Sequence, residues 1–137
     1  MARSPKTSYE ETLHNVSRYP LSWPANWART KDENRVEARF GKSAGRRVTI
    51  KEGIDRLFDE LERVHAGSVV LSTNVPTVRT GLPSAIDPKV ADTGVAVYFT
   101  LKGTPCCFAC DKWDRVGDNM VAIASHIKTI RDQIRWG

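Results

Sequence analysis

The sequence is poor in several features that mark well-known protein classes. No apolar run approaches the length that spans a bilayer, and the start, MARSPKTSYEETLHN, has no apolar stretch of the signal-peptide type. None of the three histidines, His14, His65 and His126, has a nucleophile motif around it, and no glycine-rich phosphate-binding loop occurs. We therefore expect a cytoplasmic protein with no membrane partner, and serine-type catalysis is not indicated.

Cysteine is also scarce, with three residues that all fall between positions 106 and 110. An odd number so closely spaced does not make a disulfide framework, which agrees with a reducing compartment. The spacing Cys107-x-x-Cys110 occurs in zinc and redox sites, but those sites need both sulfurs to converge. In a strand, Cys107 and Cys110 face opposite sides, whereas Cys106, Phe108 and Cys110 share one face. We predict that the cysteines belong to the core and bind no metal.

The charge of the chain is unevenly distributed. The 137 residues carry a formal net charge of +5 and are enough for one domain with its own core. Residues 29–47 contain seven basic and three acidic side chains, so the positive charge is concentrated there. Such a concentration favours polyanionic partners, nucleic acid among them, although a solvated surface without a partner explains it too.

Hydrophobic periodicity predicts four strands. Residues 35–40 (RVEARF) alternate strictly between polar and apolar side chains, which is typical of a half-buried strand. Residues 68–74 (SVVLSTN) form a short apolar run of the buried-strand type. Residues 95–101 and 105–111 flank the glycine-bearing turn at 102–104, which predicts a β-hairpin.

Two amphipathic helices complete the prediction. Thr49 and Glu52 form a capping-box pattern at the start of the first helix, and Gly67 is well placed to end it. Asp118 is the predicted N-cap of the second helix. The apolar stripe of the first helix is Ile50, Ile54, Leu57, Leu61 and Val64. The stripe of the second is Met120, Ile123, Ile127, Ile130 and Ile134.

The expected fold is α+β, a mainly antiparallel sheet of about four strands with two amphipathic helices on one face. Residues 1–18 are polar and uncapped, and we predict a flexible N-terminal segment there, followed by a single domain at 19–137. Residues 19–30 (YPLSWPANWART) combine aromatic side chains with two prolines, which favours extended chain. This segment is either a strap over a hydrophobic surface or a stacking platform for bases.

Three aspartates, Asp111, Asp114 and Asp118, lie between the predicted hairpin and the second helix. Clustered carboxylates in such a position can hold Mg²⁺, and bound Mg²⁺ can activate water for phosphodiester cleavage. Capping explains Asp118 without any chemistry, because carboxylates are favoured near helix N-termini. The three residues are therefore catalytic candidates only for a nuclease, and no cofactor is expected otherwise.

Basic side chains suited to phosphate contacts occur in a loop and on the second helix. Lys128, Arg131 and Arg135 recur at three-and-four spacing, away from the isoleucine stripe. Trp113 is a candidate for packing beside a base. The candidate nucleic-acid-binding residues are Lys42, Arg46, Arg47, Trp113, Arg115, Lys128, Arg131 and Arg135.

Several motifs together resemble a family of poorly characterised bacterial and phage or mobile-element proteins. They are YPLSWPANWART, LSTNVP with GLP after it, GVAVYF, ACDKWDRVGDN and the closing RWG. In many actinobacterial members of that family the domain is followed by a J domain. The Cys106-Cys107 pair departs from the family pattern, and no His-Pro-Asp tripeptide is present. The resemblance, which runs from about Tyr19 to Gly137, implies a mobile-element or chromosome-associated context.

A shorter similarity involves RusA-type Holliday-junction resolvases, in which an Asp-x-Asp-Asn motif opens a helix. Asp118-Asn119 is similar to the second half of that motif, but Val116 and Ala122 stand where an aspartate and a lysine are expected. The leading hypothesis is a nucleic-acid-associated accessory protein. The alternatives are a Mg²⁺-dependent, structure-selective nuclease and a protein-interaction module, and pairing at a hairpin edge makes a homodimer possible.

Overall fold

The computed structural model describes residues 17–38, 48–76 and 90–136, without the side chains of residues 17, 135 and 136. Most of the predicted flexible segment, residues 1–16, therefore lies outside the described residues. The elements in chain order are β1 (Ser17–Arg18), a 3₁₀ turn (Asp32–Asn34), α1 (Ile50–Arg63), β2 (Gly67–Thr73), β3 (Val95–Leu101), β4 (Thr104–Cys110) and α2 (Val116–Trp136). Within these ranges no helix is both long and apolar enough to cross a membrane.

The sheet is built from three antiparallel strands in the order β2, β3, β4, and the two residues of β1 pair in parallel with the outer edge of β2. The α+β class with a mainly antiparallel sheet is confirmed, but three long strands are one fewer than expected. The predicted strand at 35–40 is wrong up to Ala38, where the described residues stop. There, Val36 forms an isolated bridge with Trp113.

The physical reason for this error is that burial does not follow the alternation, because Ala38 is buried as expected but Arg35 and Val36 are reversed. The Arg35 side chain is 6% exposed, because several acceptors surround it, whereas Val36 is 47% exposed. Alternation of residue type predicts a strand only when the apolar side is the buried one. Because Arg35 is buried among its ion-pair partners, residues 35 and 36 do not meet that condition.

Helix α1 begins as predicted and ends earlier than predicted. Thr49 is the N-cap, and its hydroxyl accepts a hydrogen bond of 3.1 Å from the Glu52 backbone N–H. The helix ends at Arg63, and the Ala66 N–H donates to the Leu61 carbonyl at 2.9 Å. This bond belongs to a Schellman motif, in which His65 takes the left-handed position (φ 58°). Gly67 is therefore not the helix stop but the first residue of β2.

Helix α2 begins before the predicted N-cap. Its first residue is Val116, and the Arg115 carbonyl accepts the hydrogen bond from Asn119 N–H at 3.2 Å. Asp118 is thus a fully buried residue of the first turn rather than the cap. The predicted stripe is buried at Met120, Ile123 and Ile127, but Ile134 is 70% exposed.

The core lies between one face of the sheet and both helices. Strand pairing places Leu71, Val97 and Phe108 on the same face, where they pack with the α1 and α2 stripes in one hydrophobic cluster. The helices approach closely at Gly53, where an added Cβ would lie 2.9 Å from the Gly117 carbonyl oxygen and 3.0 Å from the Met120 Cβ. Glycine at this position permits the helix contact.

The opposite face of the sheet meets the 19–30 segment, which crosses it as a strap, the first of the two alternatives considered for this segment. The Ser22 N–H donates to the Ser72 hydroxyl, and the Tyr98 hydroxyl donates to the Ser22 carbonyl, both at 2.6 Å. Further along, Trp27 makes an edge contact with Phe108 at the β4 edge, with ring centroids 6.5 Å apart. The strap therefore runs from the centre of the sheet to its outer strand and delivers Arg29 to the end of β4.

Candidate functional site

Near the end of β4 lies a partly buried cluster of arginines and aspartates, here called the Arg–Asp cluster (Arg29, Arg35, Asp92 and Asp111), in which Arg35 and Asp111 are buried and Arg29 and Asp92 are partly exposed. Asp111 is 4% exposed. Its Oδ2 accepts hydrogen bonds of 2.8 Å from Arg29 Nε and from the Thr30 backbone N–H. Arg35 lies 3.6 Å from the same oxygen and donates from its Nε to the Asp111 carbonyl at 3.0 Å.

Asp92 closes the Arg–Asp cluster from the other side. Its Oδ1 pairs with Arg29 and with Arg35, the latter at 3.1 Å, and accepts a bond of 3.1 Å from the Gly94 N–H. Strap, sheet and the segment before β3 are thereby joined through two carboxylates and two guanidinium groups. Because each carboxylate accepts several charge-assisted bonds, the cluster is a satisfied structural network.

The protonation of both carboxyl groups follows from these contacts. Burial alone would raise the pKa of Asp111, but the Thr30 and Arg29 hydrogen bonds outweigh it, and the pKa lies below its ordinary value. Burial acts in the same sense on Asp92, and the bonds from Arg29 and Gly94 again lower the pKa. Both groups are ionised at neutral pH and held by donors.

Asn119 organises the segment between β4 and α2. Its Oδ1 accepts from the Trp113 N–H at 3.0 Å and from the Cys110 thiol at 3.2 Å. Its Nδ2 donates to the Thr93 carbonyl at 2.8 Å and to the Trp113 carbonyl at 3.1 Å. The side chain is fully buried and uses both its donor and acceptor groups, so Asn119 has a structural role that needs no chemistry.

The three nuclease candidates are in different surroundings. Asp111 is engaged by the Arg–Asp cluster, Asp118 is buried in the first turn of α2, and Asp114 lies at the surface. Within the described ranges, no three histidine, cysteine or acidic side chains form a group that could hold a metal ion. The arrangement of Asp111 therefore favours ion pairing with arginine over metal coordination.

The cysteines occupy the positions that the strand predicts. Cys106, Phe108 and Cys110 pack against the core, which confirms the prediction, and Cys107 pairs with Tyr98 on the opposite face. All three cysteines are free thiols. Burial raises the pKa of Cys107 and of Cys110, which disfavours the reactive thiolate at neutral pH.

The predicted nucleic-acid-binding residues divide into three groups. Lys42, Arg46 and Arg47 lie outside the described residues, as does the side chain of Arg135. Arg115 and Lys128 are exposed, whereas Trp113 is half-buried with Lys112 Nζ 4.7 Å from its ring centre. Arg131 donates from Nε to Glu60 Oε2 at 3.1 Å, so an ion pair between the two helices holds it.

A groove of about 430 Å³ lies beside Arg131, where the ends of α1 and α2 meet the β3–β4 turn. We call it the basic groove. The described residues that line it are Arg63, Val64, His65, Leu101, Lys102, Arg131 and Ile134. Three of these side chains are arginine or lysine, one is histidine and three are aliphatic. Among the described residues, no carboxylate lines the groove.

Two residues of the basic groove occupy unusual backbone positions. His65 and Lys102 have φ angles of 58° and 50°, in the left-handed region that glycine and asparagine favour. Lys102 and Gly103 (φ 80°) are the two central residues of the β3–β4 turn, and positive φ at both is the type I′ geometry. The His65 imidazole and the Lys102 ammonium thus come to the groove from backbone positions that carry some conformational cost.

Sequence reasoning missed most of these residues. Arg29, Arg35 and Asp92 were not singled out, and only Arg131 of the groove residues was a binding candidate. No local pattern could have found them, since Arg29 and Asp111 are 82 positions apart in the chain. The groove likewise combines residues 63–65, 101–102 and 131–134. The only signal in the sequence was that each of these three groove segments contains a basic residue.

Comparison with known proteins adds no relative. No protein-family model matches the chain, and neither the curated proteins nor the solved structures contain a significant match.

Proposed function

We propose that the protein is a nucleic-acid-associated accessory protein that contacts the phosphate backbone through the basic groove and the adjoining face of α2. The observation that carries the proposal is the convergence of Arg63, His65, Lys102 and Arg131 from three separate elements on one groove. Exposed Lys128 lies three positions before Arg131 and extends the same side of the helix. Phosphates are the ligand class that such a convergence of cations suits best.

The two arginines of the groove are paired with carboxylates in ways that leave them usable. Arg63 and Asp59 form an exposed i,i+4 pair with both side chains 55% exposed, and such pairs are weak. Arg131 is more firmly held, because it and Glu60 are 22% and 14% exposed. A guanidinium has five N–H donors, so one bond to Glu60 fixes its direction without exhausting its capacity.

The proposal includes residues and a context that rest on sequence alone. Lys42, Arg46, Arg47 and the Arg135 side chain are further candidate phosphate contacts, and Arg115 and Trp113 are candidates near the start of α2. The phage or mobile-element setting follows from the motif resemblance described above. Contacts to phosphates do not depend on the base sequence of the nucleic acid, which suits an accessory role.

Fluorescence anisotropy with labelled DNA and RNA oligonucleotides at two salt concentrations, with and without Mg²⁺, tests the proposal. We expect binding that weakens steeply with salt and no cleavage of the probe. The double variant Lys102→Glu, Lys128→Glu should weaken binding to all sequences and reduce the salt slope by roughly 2. Lys51→Glu is the matched control, because Lys51 is 76% exposed and about 18 Å from Arg63 along α1.

Three other outcomes would contradict the proposal, and two of them would favour the nuclease or the interaction module instead. Equal affinity of the double variant and the wild type would show that the basic groove is not the contact. Cleavage only with Mg²⁺, abolished by Asp114→Asn in a folded protein, would support the nuclease. Salt-insensitive binding to a protein or to a second copy, with no affinity for nucleic acid, would support an interaction module.

A further inference from the structure

The apolar floor of the basic groove is not explained by phosphate contacts. Val64 and Leu101 are half-buried, and Ile134 is 70% exposed at the end of a stripe whose earlier members are buried. Contacts to a duplex backbone need cations and hydrogen-bond donors but no aliphatic surface. A groove lined by aliphatic side chains together with Arg63, Lys102 and Arg131 fits a ligand that has both an apolar face and negative charges beside it.

We infer that the basic groove binds single-stranded nucleic acid and takes an unpaired base on the floor formed by Val64, Leu101 and Ile134. This inference rests on the proposed function and specifies its substrate class. In a duplex both faces of each base are stacked, whereas an unpaired base can be splayed out and packed against protein. The two flanking phosphates then meet cations on either side of the floor.

The dimensions and the placement of the cations agree with this ligand. A volume of about 430 Å³ falls within the range of about 300–1,000 Å³ that is usual for small-ligand pockets, so a nucleotide unit fits. The cations come from the end of α1, from the β3–β4 turn and from α2, the same three places that supply the aliphatic side chains. Each aliphatic side chain therefore has a cationic residue one or three positions away in the chain, which suits a ligand whose phosphates adjoin the inserted base.

The arginines supply a second kind of contact to the base. Guanidinium planes stack on bases, and histidine does the same. Glu60 holds the Arg131 guanidinium through a bond of 3.1 Å, which reduces the entropy that the side chain loses on binding. His65 is at the same groove, on the left-handed residue that ends α1. The floor and its rim are therefore suited to any base, without sequence preference.

The direct test compares three labelled DNA probes of equal length: a mixed-sequence single strand, the same strand with abasic sites throughout, and the blunt duplex. The abasic strand keeps the phosphates and removes the bases. We expect the normal strand to bind at least about fivefold more tightly than the abasic strand, a ratio that corresponds to about 1 kcal/mol and to burial of roughly 40 Å² of apolar surface against the aliphatic floor. Ile134→Ser should reduce this ratio toward 1.

Control experiments distinguish a failure of the unpaired-base inference from a failure of the phosphate contact itself. Val36→Ser removes another exposed apolar side chain (47% exposed) far from the groove in the fold and should leave the ratio intact. Circular dichroism melts verify that each variant is folded. Equal affinity for all three probes overturns the unpaired-base inference and leaves the phosphate contact standing. No binding to any probe overturns both, as does tighter binding of an acidic amphipathic peptide of equal charge.

Discussion

At the scale of single residues, Asp111 shows how surroundings decide between chemistry and structure. The sequence presents it beside Asp114 and Asp118, which suggests a metal site. The fold instead gives it Arg29, Arg35 and the Thr30 N–H as partners. A carboxylate that accepts several charge-assisted bonds in a buried position stabilises the fold, and its loss leaves the two guanidinium groups with Asp92 as their shared counter-charge.

The change Asp111→Asn tests that structural role. Because the asparagine keeps the shape and loses the charge, we expect the free energy of unfolding to fall by about 2–3 kcal/mol. Asp55→Asn, which removes one half of an exposed pair with Lys51, should change it by less than about 0.5 kcal/mol. Urea denaturation of the three proteins measures both effects. Unchanged stability of Asp111→Asn would mean that the ion pairs contribute little.

The same carboxyl groups predict how stability depends on pH. The pKa values of Asp111 and Asp92 are lower in the folded protein than in the unfolded chain. Their contribution is therefore present above the unfolded pKa, near 3.9, and is lost as pH falls below it toward the folded values. Asp111→Asn should flatten the decline of stability below about pH 4. An identical acid profile in wild type and variant would contradict this.

At the scale of elements, local patterns predicted what local interactions determine. The four-three spacing and the Thr49 cap predicted α1, and the alternation around Lys102 and Gly103 predicted the hairpin. The strand at 35–40 was wrong because contacts with distant Asp92 and Asp111, not alternation, decide that Arg35 is buried. Asp118 was misplaced because the helix starts at Val116, three residues before the start that an N-cap at Asp118 predicts.

Gly53 is the clearest case in which an element is decided by its neighbour. In an isolated helix, alanine would be more favourable than glycine by about 1 kcal/mol. Here its Cβ would lie 2.9 Å from the Gly117 carbonyl oxygen and 3.0 Å from the Met120 Cβ. We therefore expect Gly53→Ala to destabilise the protein by about 1–3 kcal/mol, since the helices must separate. Thermal denaturation shows whether the variant is less or more stable than the wild type.

A control on the same helix isolates the packing effect. Glu62→Ala introduces alanine on the exposed side of α1, where no packing opposes it. Its stability should differ from wild type by no more than about 0.5 kcal/mol. Stabilisation by Gly53→Ala would show that the helices can adjust to the extra methyl group and that the close approach is not required.

At the scale of the whole molecule, the fold separates a structural cluster from a candidate binding surface. The Arg–Asp cluster fastens the strap at one place, where basic side chains are neutralised by aspartates. The basic groove gathers cations elsewhere around an apolar floor. Net charge alone could not indicate this groove, because the groove exists only when three distant segments are brought together.

The most direct measurement is a titration of the isotope-labelled protein with a short single-stranded oligonucleotide, followed residue by residue with amide chemical shifts. Our account predicts that the largest shifts cluster at Val64, His65, Leu101, Lys102 and Ile134 and diminish as salt is raised. Small or absent shifts in the Arg–Asp cluster should accompany them. Shifts concentrated at Asp111 and Asp114, or none at any oligonucleotide concentration, would contradict the basic groove as the site of nucleic-acid contact.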